Sequence, residues 1–430
     1  MKSRSVGILS LGCPRNLVDS EQILRQLCLK GYSVVDMRDA SIGIVNTCAF
    51  VEDARKESVD AILDLIDLKK QGKLKKIIVY GCLVQRYKDE LRKELPEVDA
   101  FIGKISLDQG LNLRKAGLAP RDKFSITPRH YAYLKIAEGC INNCSFCVIP
   151  RIKGRYTSVR EEALLRQAAQ LDSSGVKELN IIGQDISGYG IDLYGSVRLP
   201  ELIRSICGKL KHIQWLRLLY LYPSRISKEL LAVMKDEPRV CKYIDVPLQH
   251  INERILKLMN RNTAQKDILK LIEKIRKVIP SVTLRTSVIV GFPSETDKEF
   301  KELLRFIESV KFEKLGAFMY SREEETPAFD FGKQIPREIK IERFNAVMSL
   351  QQEISRENNS RFMGQEMAVL IDEKEEGHYL GRSQKDAPEV DGLIYVHPHA
   401  DNKRVLAPGD IVNVRIQDTL EYDLVGTLLN

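Results

Sequence analysis

The chain has 430 residues, enough for two or three domains that each bury a core. Lys and Arg number 67 against 59 Asp and Glu, and the net charge of +8 permits an anionic partner without requiring one. No secretion signal is recognisable, and no stretch approaches the roughly 18 apolar residues of a membrane span. We therefore expect a cytoplasmic protein, in which nine cysteines indicate metal binding or catalysis rather than disulfides.

The first 120 residues alternate strand-like and helix-like segments, which predicts a parallel α/β sheet. Predicted strands at residues 6–11, 42–46 and 76–80 run directly into Cys13, Cys48 and Cys82. The carboxyl ends of parallel strands form the ligand-binding edge of such a sheet, so the three thiols would converge there. Three separately buried cysteines remain the alternative, because free cysteine is often buried for packing alone.

A denser cysteine pattern follows a predicted strand at residues 131–136. Cys140, Cys144 and Cys147 are separated by three and two intervening residues in a loop of turn-forming residues, a spacing typical of an iron–sulfur site. A structural zinc site or a ferredoxin would bring a fourth ligand nearby, and none is present. Three thiols would leave one iron with an open position, as catalytic metal sites have. The other three cysteines, at positions 28, 207 and 241, are expected to be buried without a metal role.

Residues 128–320 predict a (β/α)6-type full or partial barrel with its active site at the carboxyl ends of the strands. The six strand candidates lie at residues 131–136, 178–182, 215–221, 242–246, 282–290 and 314–320. Gly183, Gln184 and Asp185 follow the second strand and Gly291 follows the fifth, so these residues are predicted to line a cofactor site. Ser294 is a plausible helix N-cap, with Asp297 three positions on.

A basic segment follows the cysteine loop. Its cations are Arg151, Lys153, Arg155 and Arg160. Two interpretations stay open for this segment, a solvated loop or contact with an anionic cofactor or substrate.

The last part of the chain changes in composition. Residues 337–361 predict a long polar helix. Five short strand candidates follow, at residues 366–371, 379–382, 393–396, 410–416 and 423–429, and they predict a small β-barrel of the oligonucleotide-binding type. Residues 361–430 carry 7 basic and 13 acidic side chains, a charge of −6 that suits a basic protein better than a phosphate backbone. His397 and His399 are expected in a surface loop.

Nearly the whole sequence resembles the radical S-adenosylmethionine (SAM) methylthiotransferases. The cysteine loop is similar to that of radical SAM enzymes, Cys13, Cys48 and Cys82 match the amino-terminal methylthiotransferase domain, and the last seventy residues resemble a TRAM barrel. The resemblance implies a methylthiotransferase domain with an auxiliary cluster at 1–120, a radical SAM core at 126–358 and a TRAM domain at 359–430. Residues 11–21, 46–50 and 387–392 resemble the branch that modifies an aspartate of small-subunit ribosomal protein S-twelve, whereas the tRNA branch begins with a Gly-Cys-Gln-Met-Asn type of motif.

The resemblance also implies a mechanism with two [4Fe–4S] clusters. The cluster on Cys140, Cys144 and Cys147 would bind SAM and, once reduced, cleave it to a 5′-deoxyadenosyl radical. The cluster on Cys13, Cys48 and Cys82 would supply or carry sulfur, and a second SAM the methyl group, giving 3-methylthioaspartate. Gly183, Gln184 and Asp185 resemble the motif that binds the methionine end of SAM, with Gln184 donating to its carboxylate.

The implied partners are the basic ribosomal protein, an electron donor such as flavodoxin or ferredoxin, and a sulfur donor. A tRNA adenosine methylthiotransferase is the first alternative. A non-catalytic two-cluster electron carrier is the second, and the absence of a fourth nearby cysteine argues against it.

Overall fold

A five-stranded parallel sheet forms the amino-terminal part of the computed structural model, which describes residues 4–104, 126–399 and 405–429. Its strands, paired in the order β2-β1-β3-β4-β5, are β1 (Ser5–Ser10), β2 (Ser33–Val34), β3 (Ile42–Thr47), β4 (Lys76–Gly81) and β5 (Ala100–Gly103). The helices are α1 (Pro14–Leu29), α2 (Glu52–Lys70) and α3 (Cys82–Glu94). Helices pack on the central strands, so most residues of β3 and β4 are buried and their sequences are largely apolar. The predicted parallel sheet is confirmed, with β2 and β5 added at its edges.

Six parallel strands form an open barrel in the middle of the chain. They are β6 (Tyr131–Lys135), β9 (Glu178–Ile182), β10 (Trp215–Leu218), β11 (Tyr243–Asp245), β12 (Thr283–Val290) and β13 (Lys314–Met319), and a short hairpin adds β7 (Ala137–Glu138) and β8 (Thr157–Ser158). Strands β10, β9 and β6 pair in one sheet and β11, β12 and β13 in another. Leu216 joins the two sheets, because its N–H donates to Arg239 at 2.8 Å and its carbonyl accepts from Cys241 at 2.9 Å. The predicted partial barrel is therefore confirmed.

Helices cover the outside of this barrel. Helix α4 (Ile149–Lys153) is the exception, because it packs against α3 of the amino-terminal domain. The others are α5 (Glu161–Ser173), α6 (Ile191–Tyr194), α7 (Leu199–Cys207), α8 (Lys228–Asp236), α9 (Glu253–Leu258), α10 (Gln265–Val278), α11 (Asp297–Val310) and the long α12 (Arg337–Ser360). The cap predicted for α11 is wrong. Thr296 is its N-cap and forms a capping box with Glu299, whereas Ser294 lies in the preceding turn with φ +66°. None of the described helices is long and apolar enough to cross a membrane.

The carboxy-terminal strands close into the small β-barrel that the sequence predicts. Around this terminal barrel the order is β14-β15-β16-β18-β17, and only β16 and β18 pair in parallel. The strands are β14 (Glu366–Lys374), β15 (Tyr379–Arg382), β16 (Ile394–His397), β17 (Ile411–Thr419) and β18 (Leu424–Leu428). His397 ends β16 and is exposed, and His399 follows it in the next loop.

Residues 383–393, which connect β15 to β16, form a docking loop against the amino-terminal ends of the central barrel strands. Its acidic side chains are bound there. Tyr131 Oη donates to Glu389 at 2.9 Å, and Tyr243 Oη donates to Asp391 at 2.6 Å. Lys314 forms an ion pair of 2.7 Å with the same loop, at Asp386. Part of the acidic surplus of the terminal barrel therefore neutralises the central barrel and is not presented to a partner.

Glu178 strengthens this junction. Its buried carboxylate pairs with Arg217 at 2.8 Å and with Arg382 of the terminal barrel at 2.7 Å. Arg382 also pairs with Asp372 at 2.7 Å. The terminal barrel is thus joined to the central barrel by buried charges at the end opposite to the cysteine loop.

Candidate functional site

The cysteine loop at residues 140–147 follows the carboxyl end of β6 by way of β7. Ser145 anchors it, because its N–H donates to Met259 at 3.0 Å and its hydroxyl donates to Leu258 at 2.7 Å. Ala328 N–H closes the anchor by donating to the Ser145 carbonyl at 2.9 Å. Ser145 is buried and all three thiols of the loop are half-buried, so the loop is anchored through Ser145 while its thiols remain partly accessible.

Hydrogen-bond donors surround the thiols of this loop. Asn142 donates to Cys140 Sγ from its backbone nitrogen at 3.4 Å and from its side chain at 3.3 Å. Arg261 Nη1 donates to Cys144 Sγ at 3.7 Å. Burial raises the pKa of Cys140 and raises the pKa of Cys147 to about 12. Coordination to a metal deprotonates a thiol and releases the proton, so these thiols would be ionised when a cluster binds.

The second cysteine trio lies at the carboxyl edge of the amino-terminal sheet. Cys13 follows β1, Cys48 follows β3, and Cys82 begins α3 directly after β4. Gly12, with φ +83°, allows the close approach, because a Cβ there would lie 2.9 Å from Cys48 Sγ. The structure therefore brings together the three thiols that strand topology predicted to converge.

The thiols of this second trio differ in their acidity. Burial raises the pKa of Cys48 to about 11 and also raises the pKa of Cys82. Burial opposes ionisation of Cys13 as well, but the charges of Arg15 and Lys153 bring the pKa of Cys13 below its ordinary value.

The donor chemistry of each trio suits one face of a four-iron cluster, since each offers three thiols and no fourth cysteine of the described chain accompanies them. Within the described ranges, no three His, Cys, Asp or Glu side chains are placed to hold a single metal ion. Cluster thiolates bind separate irons and need a wider spacing than the ligands of one ion. The remaining cysteines lie apart, with Cys28 on α1, and with Cys207 and Cys241 buried in the central domain.

Gln184 carries a buried acceptor without a partner. Its side-chain nitrogen donates to Glu138 Oε1 at 2.9 Å, and its Oε1 is buried with no hydrogen bond from a described residue. An unpaired buried carbonyl costs free energy unless a ligand or water satisfies it. Gln184 is therefore suited to accept a hydrogen bond from a ligand at the barrel mouth.

Asp185 and Gly291 have contacts that account for them within the protein. Asp185 is buried, and it binds Ser187 N–H at 3.0 Å, Asn142 Nδ2 at 2.8 Å and the guanidinium of Arg225. It thereby fixes the cysteine loop through Asn142. Gly291, at φ +69°, faces α12, where a Cβ would lie 2.4 Å from Lys340 Cγ. The cofactor contacts expected of these two residues stay predictions.

A buried ionic cluster connects the amino-terminal sheet to the central barrel. Lys104 Nζ lies 2.9 Å from Asp19 Oδ2, and Lys135 Nζ lies 2.6 Å from Glu138 Oε2. Lys153 Nζ is 3.8 Å from Asp19 and 3.7 Å from Glu138. Of the basic segment after the cysteine loop, only Lys153 is buried, and its three arginines are exposed. Sequence reasoning missed the cluster, although charged residues beside apolar strands were a usable signal.

Arg15 connects the second trio to the central barrel. Its Nε donates to Cys13 Sγ at 3.4 Å, and its Nη1 donates to the Gly183 carbonyl at 2.8 Å. The guanidinium carbon is 4.5 Å from the centre of the Tyr220 ring. Its charge also acts on Cys147 of the other trio. Arg15 thus connects the second trio to the end of the barrel that carries the first, and the sequence had indicated no separate role for it.

Known proteins match the chain along its length. The uncharacterized protein family UPF0004 matches residues 5–103, the radical SAM superfamily residues 134–307, and the TRAM domain residues 363–429. A Clostridioides difficile protein named ribosomal protein uS12 methylthiotransferase RimO is 45% identical over 442 residues, covering 99% of this chain and 98% of that protein. A protein of the same name from Caldanaerobacter subterraneus is 46% identical and covers 98% of this chain and 99% of its own length. Another from Geobacter sulfurreducens is 43% identical and covers 99% of this chain and 98% of its own length.

Solved structures share the fold at low sequence identity. The radical SAM methyltransferase TsrM from Kitasatospora setae, with tryptophan and a SAM analogue bound, has a TM-score of 0.54 at 13% identity and covers 82% of this chain and 89% of its own. The cobalamin-dependent radical SAM enzyme OxsB has a TM-score of 0.52 at 14% identity, with 81% of this chain and 58% of its own covered. On the strength of its full-length relatives, the chain belongs to the RimO family of radical SAM methylthiotransferases, enzymes that use an iron–sulfur cluster and SAM.

Proposed function

We propose that this protein inserts sulfur into, and methylates, the β-carbon of an aspartate of ribosomal protein uS12, giving 3-methylthioaspartate. The observation that carries the proposal is the pair of cysteine trios, of which the second is connected through Arg15 to the barrel end that carries the first. A carbon held between them would meet a hydrogen-abstracting group on one side and a sulfur source on the other. The uS12 substrate is the one named for relatives that are 42–46% identical to this chain.

The two trios would hold two [4Fe–4S] clusters with different tasks. Cys140, Cys144 and Cys147 would bind the cluster that takes SAM at its open iron, and Cys13, Cys48 and Cys82 the cluster that carries sulfur. Cluster and SAM supply hydrogen abstraction from an unactivated carbon and a methyl group, which no side chain can provide. The protein supplies orientation, because Asn142 and Arg261 donate hydrogen bonds to thiols of the first trio.

Gln184 would accept a hydrogen bond from the amino group of the methionine portion of SAM. One proton of its side-chain nitrogen is used by Glu138, and Oε1 is the side-chain atom that is buried without a partner among the described residues. This role differs from the one that the sequence resemblance implied, in which Gln184 donates to the carboxylate. Asp185 would act indirectly, by holding Asn142 beside Cys140.

Iron content tests the two-cluster assignment. Anaerobic reconstitution should give about eight irons per chain, and Cys13→Ala and Cys140→Ala should each keep about four. Cys28→Ala is the matched control and should keep all of them, because Cys28 lies on α1 away from both trios. Cys140→Ala should also abolish release of 5′-deoxyadenosine under dithionite. A trio variant that retains the full iron content would contradict the assignment.

The substrate is tested in a deletion strain. Mass spectrometry of uS12 should show loss of one methylthio group, and the tRNA nucleosides should be unchanged. Loss of the methylthio group from tRNA, with uS12 unaffected, would overturn the proposal in favour of the tRNA adenosine enzyme.

A further inference from the structure

Arg15 is held on three sides by the protein. Cys13 Sγ accepts from its Nε, the Gly183 carbonyl accepts from its Nη1, and the Tyr220 ring lies beneath the guanidinium. Tyr220 has φ +77°, a conformation that is costly for a bulky residue and persists only where its surroundings impose it. The platform under Arg15 is therefore rigid.

One edge of this guanidinium remains free. Nη2 of Arg15 makes no hydrogen bond to any described residue. It is not fully buried, so it reaches accessible space. Arg15 as a whole is half-buried. A planar guanidinium with a free N–H edge is the preferred protein group for a carboxylate.

The neighbouring cations are bound mainly to other groups of the protein, although Arg225 Nε has no partner among the described residues. Arg225 binds Asp185 and donates to Asn142 Oδ1 at 2.7 Å. Arg261 donates to the Pro247 carbonyl at 2.5 Å and to Cys144. Lys153 is buried in the ionic cluster. Among these four cations, all in the described part of the chain, Arg15 is the one that contacts both a thiol of the second trio and Gly183 directly after β9, and it keeps an unused donor.

We infer that Arg15 binds the side-chain carboxylate of the aspartate that is modified. The inference rests on the proposed function, which places the β-carbon of an aspartate between the two trios. Its carboxylate is bonded directly to that carbon and must enter the same space. Thiolates on both sides repel an anion, and the Arg15 charge offsets that repulsion while its fixed plane orients the β-carbon. Arg15 thus selects an acidic residue as substrate.

Binding of two labelled peptides tests the inference. One probe is a fluorescein-labelled uS12 peptide that contains the target aspartate in its unmodified form, and the other is the same peptide with asparagine at that position. Binding of each peptide to the reconstituted enzyme is measured anaerobically by fluorescence anisotropy. The unsubstituted enzyme should bind the aspartate peptide about tenfold more tightly, the usual effect of one charge-assisted hydrogen bond. Arg15→Gln should remove this preference, and Arg15→Lys should keep part of it. Arg38→Gln, an exposed arginine paired with Asp36, should behave as the unsubstituted enzyme does.

The outcomes separate this inference from the proposed function. If purified enzyme leaves uS12 unmodified by mass spectrometry, the proposed function fails. If uS12 is modified but Arg15→Gln keeps the full preference for the aspartate peptide, the inference alone is overturned. Iron content and substrate-free release of 5′-deoxyadenosine report whether the variants are folded. If Arg15→Gln loses its clusters, the test rests on the peptide affinities of the unsubstituted enzyme and of Arg15→Lys. Equal affinity of the unsubstituted enzyme for the aspartate and asparagine peptides then overturns the inference.

Discussion

Gln184 donates its side-chain amide to Glu138 at 2.9 Å, and that bond leaves Gln184 Oε1 buried and free to accept. We expect Gln184→Leu to weaken SAM binding about tenfold, because the hydrogen bond that Oε1 accepts from the amino group of SAM is lost. Equilibrium dialysis of SAM against the reconstituted enzyme measures the change. Gln71→Leu, at an exposed position after α2, is the control and should leave the affinity unchanged. Unaltered SAM binding by Gln184→Leu would contradict the acceptor role.

Arg261 should raise the reduction potential of the cluster at the cysteine loop. It donates to Cys144 Sγ, and both its charge and its hydrogen bond favour the more negative, reduced cluster. Arg261→Gln should lower the potential by roughly 40 mV, the one-electron equivalent of about 1 kcal/mol. An EPR-monitored redox titration in a Cys13→Ala background isolates this cluster. Arg322→Gln, an exposed arginine stacked on Phe329, should not change the potential, and an unchanged or higher value for Arg261→Gln would refute the role.

Glu178 should be critical for attachment of the terminal barrel. Glu178→Gln leaves Arg217 buried without its counter-charge and leaves Arg382 with Asp372 alone, and removal of one partner from such a buried pair typically costs about 3–5 kcal/mol. Urea unfolding should show this loss, and limited proteolysis should release the terminal barrel sooner. Glu366→Gln breaks the exposed pair with Arg415 and should cost below about 1 kcal/mol. Equal losses from the two substitutions would show that the Glu178 junction is not a strong one.

Glu299 should make stability depend on pH in the acid range. Hydrogen bonds from Arg254 and from the Thr296 cap lower the pKa of Glu299 from 4.5 to about 2. Because the folded-state pKa lies below the unfolded value, the carboxylate stabilises the fold above about pH 4.5, and that contribution is lost as the pH falls toward 2. Arg254 is about half exposed, so solvent screening limits the contribution to about 1 kcal/mol.

The measurement is the difference in unfolding free energy between the unsubstituted protein and Glu299→Gln, from pH 7 to pH 3. We expect about 1 kcal/mol at pH 7 and a steady decrease below pH 4.5. Glu308→Gln, at an exposed position on the same helix, should show a difference near zero throughout. A Glu299→Gln difference that does not vary with pH would contradict the assignment.

The sequence predicted the elements whose signals are local. Cys13, Cys48 and Cys82 each follow a strand of one parallel sheet, and parallel topology alone places such residues at one edge. The N-cap of α11 was assigned wrongly to Ser294, because both Ser294 and Thr296 carry a capping hydroxyl and only the backbone turn distinguishes them. Strand β2, with two residues, is too short for a periodic signal.

Contacts between domains could not be predicted. Arg15 reaches Gly183 across 168 residues, and Glu178 reaches Arg382 across 204. Such pairs depend on how folded units dock, and no local periodicity encodes that. The roles of Arg15 and Lys153 beside the thiols therefore emerge only from the three-dimensional structure.

The docking loop limits how these enzymes can be recombined. Asp386, Glu389 and Asp391 of that loop bind Lys314, Tyr131 and Tyr243 inside the neighbouring unit. A chimaera that received its last seventy residues from a different enzyme would leave those groups unmatched unless the donor carried the same acids. The central barrel and the terminal barrel must therefore change together, in evolution and in protein engineering, because they are not interchangeable modules.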